Sequence, residues 1–334
     1  MAKAKQIAGI DCEGTAADAI RLVLTKRFKE MCALRENALN WSDPEGVHDM
    51  RVSSRRLRGA LRDFTPYLRK RGLSMMLKRT GAVADALGAV RDQDVAIIGL
   101  QKLAAGAPAE AAAILDQLVR TRETIRKEAR KDLRQALHKG QLKKLQKDFV
   151  AAIDSAAESS KPRAKSARTG ASYREVARRI ILARLKEVEK LSEGLYQPLR
   201  IKPLHKMRIA TKRLRYVLEL FEPCWGQGIS IFAKRVAILQ TSLGELHDSD
   251  IWIETFGEHL NGMEKEPKER AAAALWLLSH FVRLHSKHLR NTLAQWRDWE
   301  AKDIGACLRD CLEKNSTPAA QDETKKHVRR HRPN

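Results

Sequence analysis

The sequence contains a histidine followed by four arginines at the spacing of a helix. His48, Arg51, Arg55, Arg58 and Arg62 succeed one another at intervals of three and four residues. On a helix these side chains fall within about 80° of arc and form a cationic row about 21 Å long. A guanidinium presents a planar set of donors that binds two phosphate oxygens at once. These five residues, the first row, therefore indicate a site for phosphate groups.

The second half of the chain repeats this pattern. Residues 47–58, VHDMRVSSRRLR, align with residues 204–215, LHKMRIATKRLR, at a shift of 157. The second row consists of His205, Arg208, Lys212 and Arg215. Two further segments keep nearly the same shift: RFKE at 27–30 with RLKE at 184–187, and LGAVRDQD at 87–94 with LGELHDSD at 243–250. Three matched segments at nearly one shift indicate a tandem duplication.

Each row begins with a histidine, His48 or His205, in the first turn of its predicted helix. Free backbone N–H groups and the helix dipole favour an anion at that position. We expect the histidine to donate to a phosphate oxygen, and a bound phosphate to favour the imidazolium. The alternative for either residue is a packed histidine, hydrogen-bonded at a helix start.

Two alternatives to a phosphate site follow from the same residues. In the simpler alternative, the rows are the solvated faces of amphipathic helices. Like charges at i,i+4 are destabilising, however, and solvated helix faces usually mix Glu with Lys to avoid such pairs. In the other, His247, Asp248 and Asp250 serve a metal-dependent phosphohydrolase. Arg91 stands at the position of His247 in the first copy, which weakens that alternative. We expect a protein without catalytic residues, bound metal or cofactor.

The composition favours a polyanionic partner. The 334 residues include 64 Lys or Arg against 41 Asp or Glu, a formal net charge of +23. Proteins that hold single-stranded nucleic acid interleave aromatic residues for stacking, and only Tyr216 lies beside either row. Duplex-binding motifs are absent from the sequence. Inorganic polyphosphate is therefore the expected partner, non-specific nucleic-acid binding is the alternative, and a membrane is not expected.

The apolar periodicity predicts an all-α fold with four long helices in each half. The predicted helices are 14–38, 45–65, 73–105 and 108–138, then 172–193, 202–222, 229–261 and 266–299. They form two tandem four-helix bundles, residues 14–154 and 173–314. Residues 155–172 are predicted to be a flexible basic linker, and 315–334 a disordered basic tail. The aspartates of the two LGxxxDxD segments are interpreted as caps of a helix restart, Asp92 and Asp94 in one copy and Asp248 and Asp250 in the other.

The cysteines and the apolar runs indicate the compartment. The five cysteines form no CxxC pair, so we expect neither a disulfide framework nor a zinc site. The longest apolar run, residues 271–278, is too short to span a bilayer, and no signal peptide is visible. We expect a soluble, cytoplasmic protein, and its oligomeric state stays open.

The segments DPEGVHDMRVSSRRLR and LHKMRIATKRLR, with the two LGxxxDxD segments, resemble the CHAD family over about residues 14–312. The resemblance implies two four-helix bundles related by pseudo-twofold symmetry around a basic central groove or pore. It also implies non-enzymatic binding of inorganic polyphosphate and localisation on polyphosphate granules. The residues that match the family's motifs are His48, Arg51, Arg55, Arg56 and Arg58, and His205, Arg208, Lys212, Arg213 and Arg215. Repeat-matched cations complete the predicted site: Arg27, Lys78, Arg184 and Lys234.

Overall fold

The computed structural model of the protein describes residues 6–68, 72–158, 171–197, 200–261 and 268–314. Within these ranges the regular elements are helices, apart from one isolated β-bridge between Thr15 and Ser172. The prediction of an all-α fold is therefore confirmed for the described part of the chain. None of the described helices has the length and apolar content needed to cross a membrane.

The described residues of each half contain six α-helices. Those of the first half are α1 (Ala16–Ala33), α2 (Arg35–Ala38), α3 (Pro44–Phe64), α4 (Leu73–Ala104), α5 (Ala109–Ala136) and α6 (Lys139–Glu158). Those of the second half are α7 (Tyr173–Leu191), α8 (Ile201–Leu220), α9 (Glu222–Trp225), α10 (Gln227–Asn261), α11 (Lys268–Ala301) and α12 (Ile304–Glu313). Short 3-10 turns follow α3 at Thr65–Tyr67 and α7 at Ser192–Tyr196.

The predicted long helices are present with ends shifted by a few residues, the first of them divided at Leu34. The sequence interpretation missed α6 and α12. Both bury apolar residues at helical spacing: Leu142, Leu145, Phe149 and Ile153 in α6, and Ile304, Leu308 and Leu312 in α12. The missed signal is thus the same 3.6-residue periodicity that identified the longer helices.

Helix α3, which carries the first row, begins as its sequence predicts. Asp43 is the N-cap, and its carboxylate accepts a hydrogen bond of 2.9 Å from the backbone N–H of Glu45. Pro44 occupies the first helical position, where its missing N–H costs nothing. The buried face of α3 includes Met50 and Leu57. Packing of this face fixes the helix rotation, and with it the direction of the first row.

One apolar core joins the two halves. Its buried side chains come from helices of both repeats, including α1, α3, α6, α7, α8 and α10. At its centre, Phe64 after the first row, Tyr173 at the start of α7 and Phe221 after α8 pack together, with ring centroids 5.4 to 6.1 Å apart. The repeats are therefore held together by shared packing, which fixes α3 relative to α8.

A second apolar core lies at the far ends of the long hairpins α4–α5 and α10–α11. Ile97 and Leu115 of the first hairpin share this core with Phe256 and Phe281 of the second. Helices α5 and α11 contact each other here. The hairpins are thus tied together at one end through this core and at the other through the main core.

The aspartates of the LGxxxDxD segments do not restart a helix, and that prediction is wrong. Helices α4 and α10 run unbroken through both segments. Asp94 is buried and lies 3.3 Å from a guanidinium nitrogen of Arg126 on α5. Asp250 is buried and lies 3.1 Å from Nε2 of His285 on α11. Each aspartate therefore ties the two helices of its hairpin together, because a buried carboxylate requires a partner.

Two predictions concern segments at the edges of the described residues. Helix α6 extends through residues 155–158, the beginning of the predicted linker; residues 159–170 and the predicted tail, 315–334, lie outside the described residues. Contrary to the cysteine prediction, Cys12 and Cys224 form a disulfide, with Cα atoms 5.6 Å apart. The two cysteines are 212 residues apart in sequence, so only the tertiary fold brings them together.

Candidate functional site

The two rows meet where α3 contacts α8. Desolvation lowers the pKa of Arg208 and Lys212 on α8, and the positive charge of Arg55 on α3 lowers both further. Arg51 of α3 acts on Lys212 in the same way. Coulombic effects of this kind require short distances. The middle of the first row therefore lies beside the middle of the second, and like charges from two helices are held together.

Lys212 is the most perturbed cation of this cluster. Desolvation, followed by the charges of Arg55 and Arg208, lowers its pKa to about 7. Within the described residues, Arg55, Arg208 and Lys212 make no salt bridge or side-chain hydrogen bond. A lysine is held near neutral charge only where burial and unbalanced positive charge disfavour protonation. We call Arg51, Arg55, Arg208 and Lys212 the cation cluster; its local charge is only partly compensated by the protein.

Carboxylates from the neighbouring helices supply that partial compensation. A guanidinium nitrogen of Arg51 donates to Asp92 on α4 at 2.8 Å, and Arg58 lies 3.5 Å from Asp85 on the same helix. In the other repeat, Asp248 of α10 takes the place of Asp92. Desolvation raises the pKa of Asp248, while the charge of Arg208 lowers it. Each row therefore lies against a helix that brings an aspartate to its cations.

Helix α4 accommodates the arginines of the first row at two glycines. A Cβ atom at Gly81 would lie 3.3 Å from Nη2 of Arg58, and one at Gly88 would lie 3.7 Å from Nε of Arg51. The glycines are seven residues apart, two helical turns, and so lie on one face of α4. Contact with the α4 surface limits the freedom of both arginines, which reduces the entropy that a ligand must overcome to bind them.

The surroundings of both row histidines disfavour the charged imidazolium form. Desolvation lowers the pKa of His48, and the charge of Arg91 lowers it further. Desolvation and the charges of Arg208 and Lys212 lower the pKa of His205. The ring of His205 lies 4.7 Å from that of His247, whose pKa desolvation and the charge of Arg208 lower to about 4. A neutral histidine still donates one N–H, and a bound anion would raise these pKa values.

The side chains of the metal-hydrolase alternative do not converge. Asp250 is paired with His285 of α11 at 3.1 Å, and His247, Asp248 and Asp250 do not bring three ligand atoms within 4.8 Å of one another. Among the described residues, one group of three possible ligands does come together: Glu45, His48 and Asp49 offer atoms within 4.8 Å of one another. Glu45 lies in the first turn of α3 and His48 and Asp49 follow in the second, close to the end of the helix where acidic side chains stabilise the helix dipole. The group thus has an ordinary explanation in helix stability.

Three predicted site residues are buried in ion pairs, and one of them, Arg215, is the last residue of the second row. Arg27, Arg56 and Arg215 are only 5 to 8% exposed. Glu219 receives a contact of 3.2 Å from Arg56 and a hydrogen bond of 2.7 Å from Arg215, and Arg27 donates to Glu30 at 2.7 Å. All three arginines line a cavity of about 780 Å³. These ion pairs give them a packing role on α1, α3 and α8.

Arg184 and Arg213 are likewise held by carboxylates. Arg184 donates to Asp63 at the end of α3 and, at 2.7 Å, to Glu187. Arg213 donates to the other oxygen of Glu187 at 2.8 Å. The Arg184–Glu187 pair repeats the Arg27–Glu30 pair at the shift of 157 residues, with the same distance. These contacts connect α7 with α3 and α8.

The remaining predicted cations, Lys78 and Lys234, are exposed on α4 and α10. Lys234 also lines the 780 Å³ cavity. The sequence interpretation overlooked Asp85 and gave Asp92 and Asp248 a role in helix capping. The sequence spacing could have indicated where these aspartates lie. Asp85 and Asp92 are seven residues apart, so they share a face of one continuous helix. Only the packing of α4 on α3 shows that this face meets the row.

The geometry defines an all-helical protein with an internal repeat and a cation cluster at the junction of its repeats. The CHAD domain family model matches residues 22–257, most of the chain, and the protein belongs to this family. The fold is similar to the crystal structure of the CHAD domain from the plant Ricinus communis, with a TM-score of 0.68 and 23% identity over 88% of this chain and 96% of that one. It is also similar to PptA from Streptomyces chartreusis, with a TM-score of 0.62 and 16% identity over 85% and 100% of the two chains. No curated protein matches the chain in sequence.

Proposed function

We propose that this protein binds inorganic polyphosphate without catalysis, through the two rows. The observation that carries this proposal is the cation cluster, in which Arg55, Arg208 and Lys212 lie together without a salt bridge in the described residues. Keeping like charges together costs stability, and a polyanion would offset that cost. The CHAD family is linked to polyphosphate-related functions, which supports the same partner.

We further propose that a pseudo-twofold axis relates the repeats and that binding occurs in a basic central groove along it. Residues 55 and 212 are equivalent under the shift of 157 and lie next to each other, as they would on either side of such an axis. A linear polymer of identical phosphates suits a site with this symmetry, because both rows meet the same chemical group. Each charge-assisted hydrogen bond would contribute about 1.5–3 kcal/mol before the cost of gathering the cations.

A competition assay tests the choice of polyanion. Fluorescently labelled long-chain polyphosphate is bound to the protein and challenged with unlabelled polyphosphate, duplex DNA or RNA at equal phosphate concentration. We expect only unlabelled polyphosphate to displace the label efficiently. The rows have no aromatic residue except the adjacent Tyr216, so bases would gain little from stacking. Equal displacement by nucleic acid would identify the protein as a general polyanion binder.

The same function predicts where the protein resides. A protein that binds polyphosphate through the rows should concentrate on polyphosphate granules in the cytoplasm of cells that store the polymer. A fluorescent fusion of the full chain, imaged with a polyphosphate stain, measures this directly. Depletion of cellular polyphosphate should disperse the fusion. Retention of the foci without polyphosphate would mean that another component attracts the protein.

A further inference from the structure

Three exposed carboxylates lie where a polyanion would have to contact the rows. Asp92 accepts a hydrogen bond of 2.8 Å from Arg51, and Asp85 lies 3.5 Å from Arg58. Asp248 interacts electrostatically with both Arg208 and Asp92. A carboxylate oxygen and a phosphate oxygen accept the same hydrogen bonds from a guanidinium. Asp92 therefore occupies a donor that a phosphate would need, while Asp85 and Asp248 place negative charge beside Arg58 and Arg208.

These contacts differ from the buried ion pairs elsewhere in the fold. The side chains of Asp92 and Asp85 are 64% and 78% exposed, whereas that of Asp94, which holds α4 to α5, is 2% exposed. An exposed ion pair contributes little to stability because water and salt compete with it. Asp92 and Asp85 can therefore leave their arginines at small cost, while Asp94 cannot.

Equivalent aspartates in the two repeats point to a common role. Asp92 and Asp248 correspond under the shift of 156 residues, and each carries its charge to an equivalent arginine, Arg51 or Arg208. The neighbouring Asp94 and Asp250 tie each hairpin together, whereas Asp92 accepts its hydrogen bond from Arg51 of α3. The common feature of Asp92 and Asp248 is proximity to the cation cluster.

We propose that Asp92 and Asp248, with Asp85, are internal competitors that determine which polyanions the rows accept. The inference rests on the proposed function. A polyanion that binds the rows must displace these carboxylates or lie close to them, and they repel it. Binding is favourable only when many closely spaced negative charges of the polymer contact the row cations together, because their attraction then exceeds the repulsion. Polyphosphate carries a charge on every phosphate with no sugar between. Nucleic acid places its charges further apart, so it makes fewer contacts with the row cations while the aspartates still repel it. The site is then specific because it disfavours nucleic acid.

The test is the double variant Asp92→Asn/Asp248→Asn in the full-length protein. The amide keeps the shape of the side chain and removes its charge. At fixed moderate salt, we expect the Kd for long-chain polyphosphate to fall about threefold and the Kd for single-stranded RNA to fall about tenfold, so that selectivity decreases. The control, Asp116→Asn/Asp132→Asn, removes the same charge from exposed positions on α5. It should change neither Kd by more than about twofold, since exposed charges at a distance are screened.

The opposite result has a distinct meaning. If the aspartates orient the arginines for phosphate, the double variant will bind polyphosphate more weakly than the control, and the inference is overturned. Unchanged selectivity relative to the control overturns it equally. Asp85→Asn provides a second test at an independent ion pair if the double variant has reduced helicity. Failure of the wild-type protein to bind polyphosphate would contradict the proposed function itself, whereas wild-type binding with no gain in the variants contradicts only this inference.

Discussion

Arg55 of α3 and Lys212 of α8 occupy the same position in the two repeats and lie beside each other in the structure. The charge of Arg55 is, after desolvation, the largest cause of the low pKa of Lys212, about 7. Two cations at equivalent positions repel each other when the protein is free. A bound polyanion would make the electrostatic potential at these two cations negative. Phosphate binding is therefore linked to the protonation of Lys212 and to the stability of the fold.

Binding of polyphosphate should therefore take up a proton at mildly alkaline pH. At pH 8 the Lys212 amine is mostly neutral in the free protein, since its pKa is about 7. Negative charge raises this pKa, so the bound lysine is protonated and uptake approaches about one proton per site. Affinity should fall as pH rises from 6 to 8.5. Isothermal titration calorimetry in buffers of different ionisation enthalpy measures the uptake.

Lys212→Arg is the matched control for proton uptake. Arginine stays protonated throughout this range, so the variant should bind polyphosphate with uptake reduced by up to one proton. The charged and titratable groups around Lys212 remain in both proteins: Arg51, Arg55, Arg208, Arg215, His205, His247 and Asp248. Uptake in Lys212→Arg equal to that of the wild type would show that another group, such as a row histidine, takes the proton.

Removal of the Lys212 charge should stabilise the fold. The folded-state pKa of about 7 lies below the ordinary value of 10.5. Below pH 7 the amine is charged in the folded state, and its whole destabilising contribution is present there. Between these two values the unfolded chain binds more protons, and wild-type stability rises with pH. Lys212→Met should gain on the order of 1 kcal/mol at pH 6, with a smaller gain at pH 9. Chemical denaturation at the two pH values measures it; a gain that grows with pH would contradict the assignment.

Arg55 and Arg56 are adjacent in sequence and should behave differently. Arg55 belongs to the cation cluster, whereas Arg56 is buried and contacts Glu219 at 3.2 Å. Arg55→Gln should weaken polyphosphate binding and lower the slope of log K against log salt by about one, and it should not lower the melting temperature, because it relieves repulsion with Lys212. Arg56→Gln should lower the free energy of unfolding by about 1–3 kcal/mol, because it leaves Glu219 with one guanidinium fewer.

Salt titrations and thermal melts of the two variants make the comparison. Both substitutions remove one positive charge, so a general effect of net charge would change the salt slope of both equally. If the two variants lose affinity equally and stability equally, Arg55 and Arg56 do not have different roles, and the assignment of Arg55 but not Arg56 to the binding row is wrong.

The sequence predicts those features that depend on local periodicity. The rows, the N-cap at Asp43 and the long helices follow from spacing and from the repeat. The disulfide between Cys12 and Cys224 does not, because nothing local connects residues 212 positions apart. The carboxylates facing the rows escaped prediction for the same reason: Asp92 meets Arg51 only because α4 packs on α3.

Burial also separates residues that the sequence pattern treats alike. Arg51, Arg55 and Arg56 all match the repeat, yet Arg56 is buried with a carboxylate while Arg55 lies in the cation cluster. Helical spacing places Arg56 about 100° away from Arg55, which shows that it leaves the row but not what it meets. The partner, Glu219, comes from the other repeat, so its identity depends on how the repeats pack together.

The affinity of Arg51→Glu/Arg208→Glu for long-chain polyphosphate measures whether the two rows bind the polymer. The control is Lys143→Glu/Lys144→Glu, which reverses two charges at exposed positions on α6 and so changes the net charge by the same amount. Both proteins should keep the helicity of the wild type, measured by circular dichroism. We predict that the row variant loses at least about a hundredfold in affinity, as expected for two lost charge-assisted contacts, while the control retains most of it. Equal affinity in the two variants would contradict the assignment of polyphosphate binding to the rows.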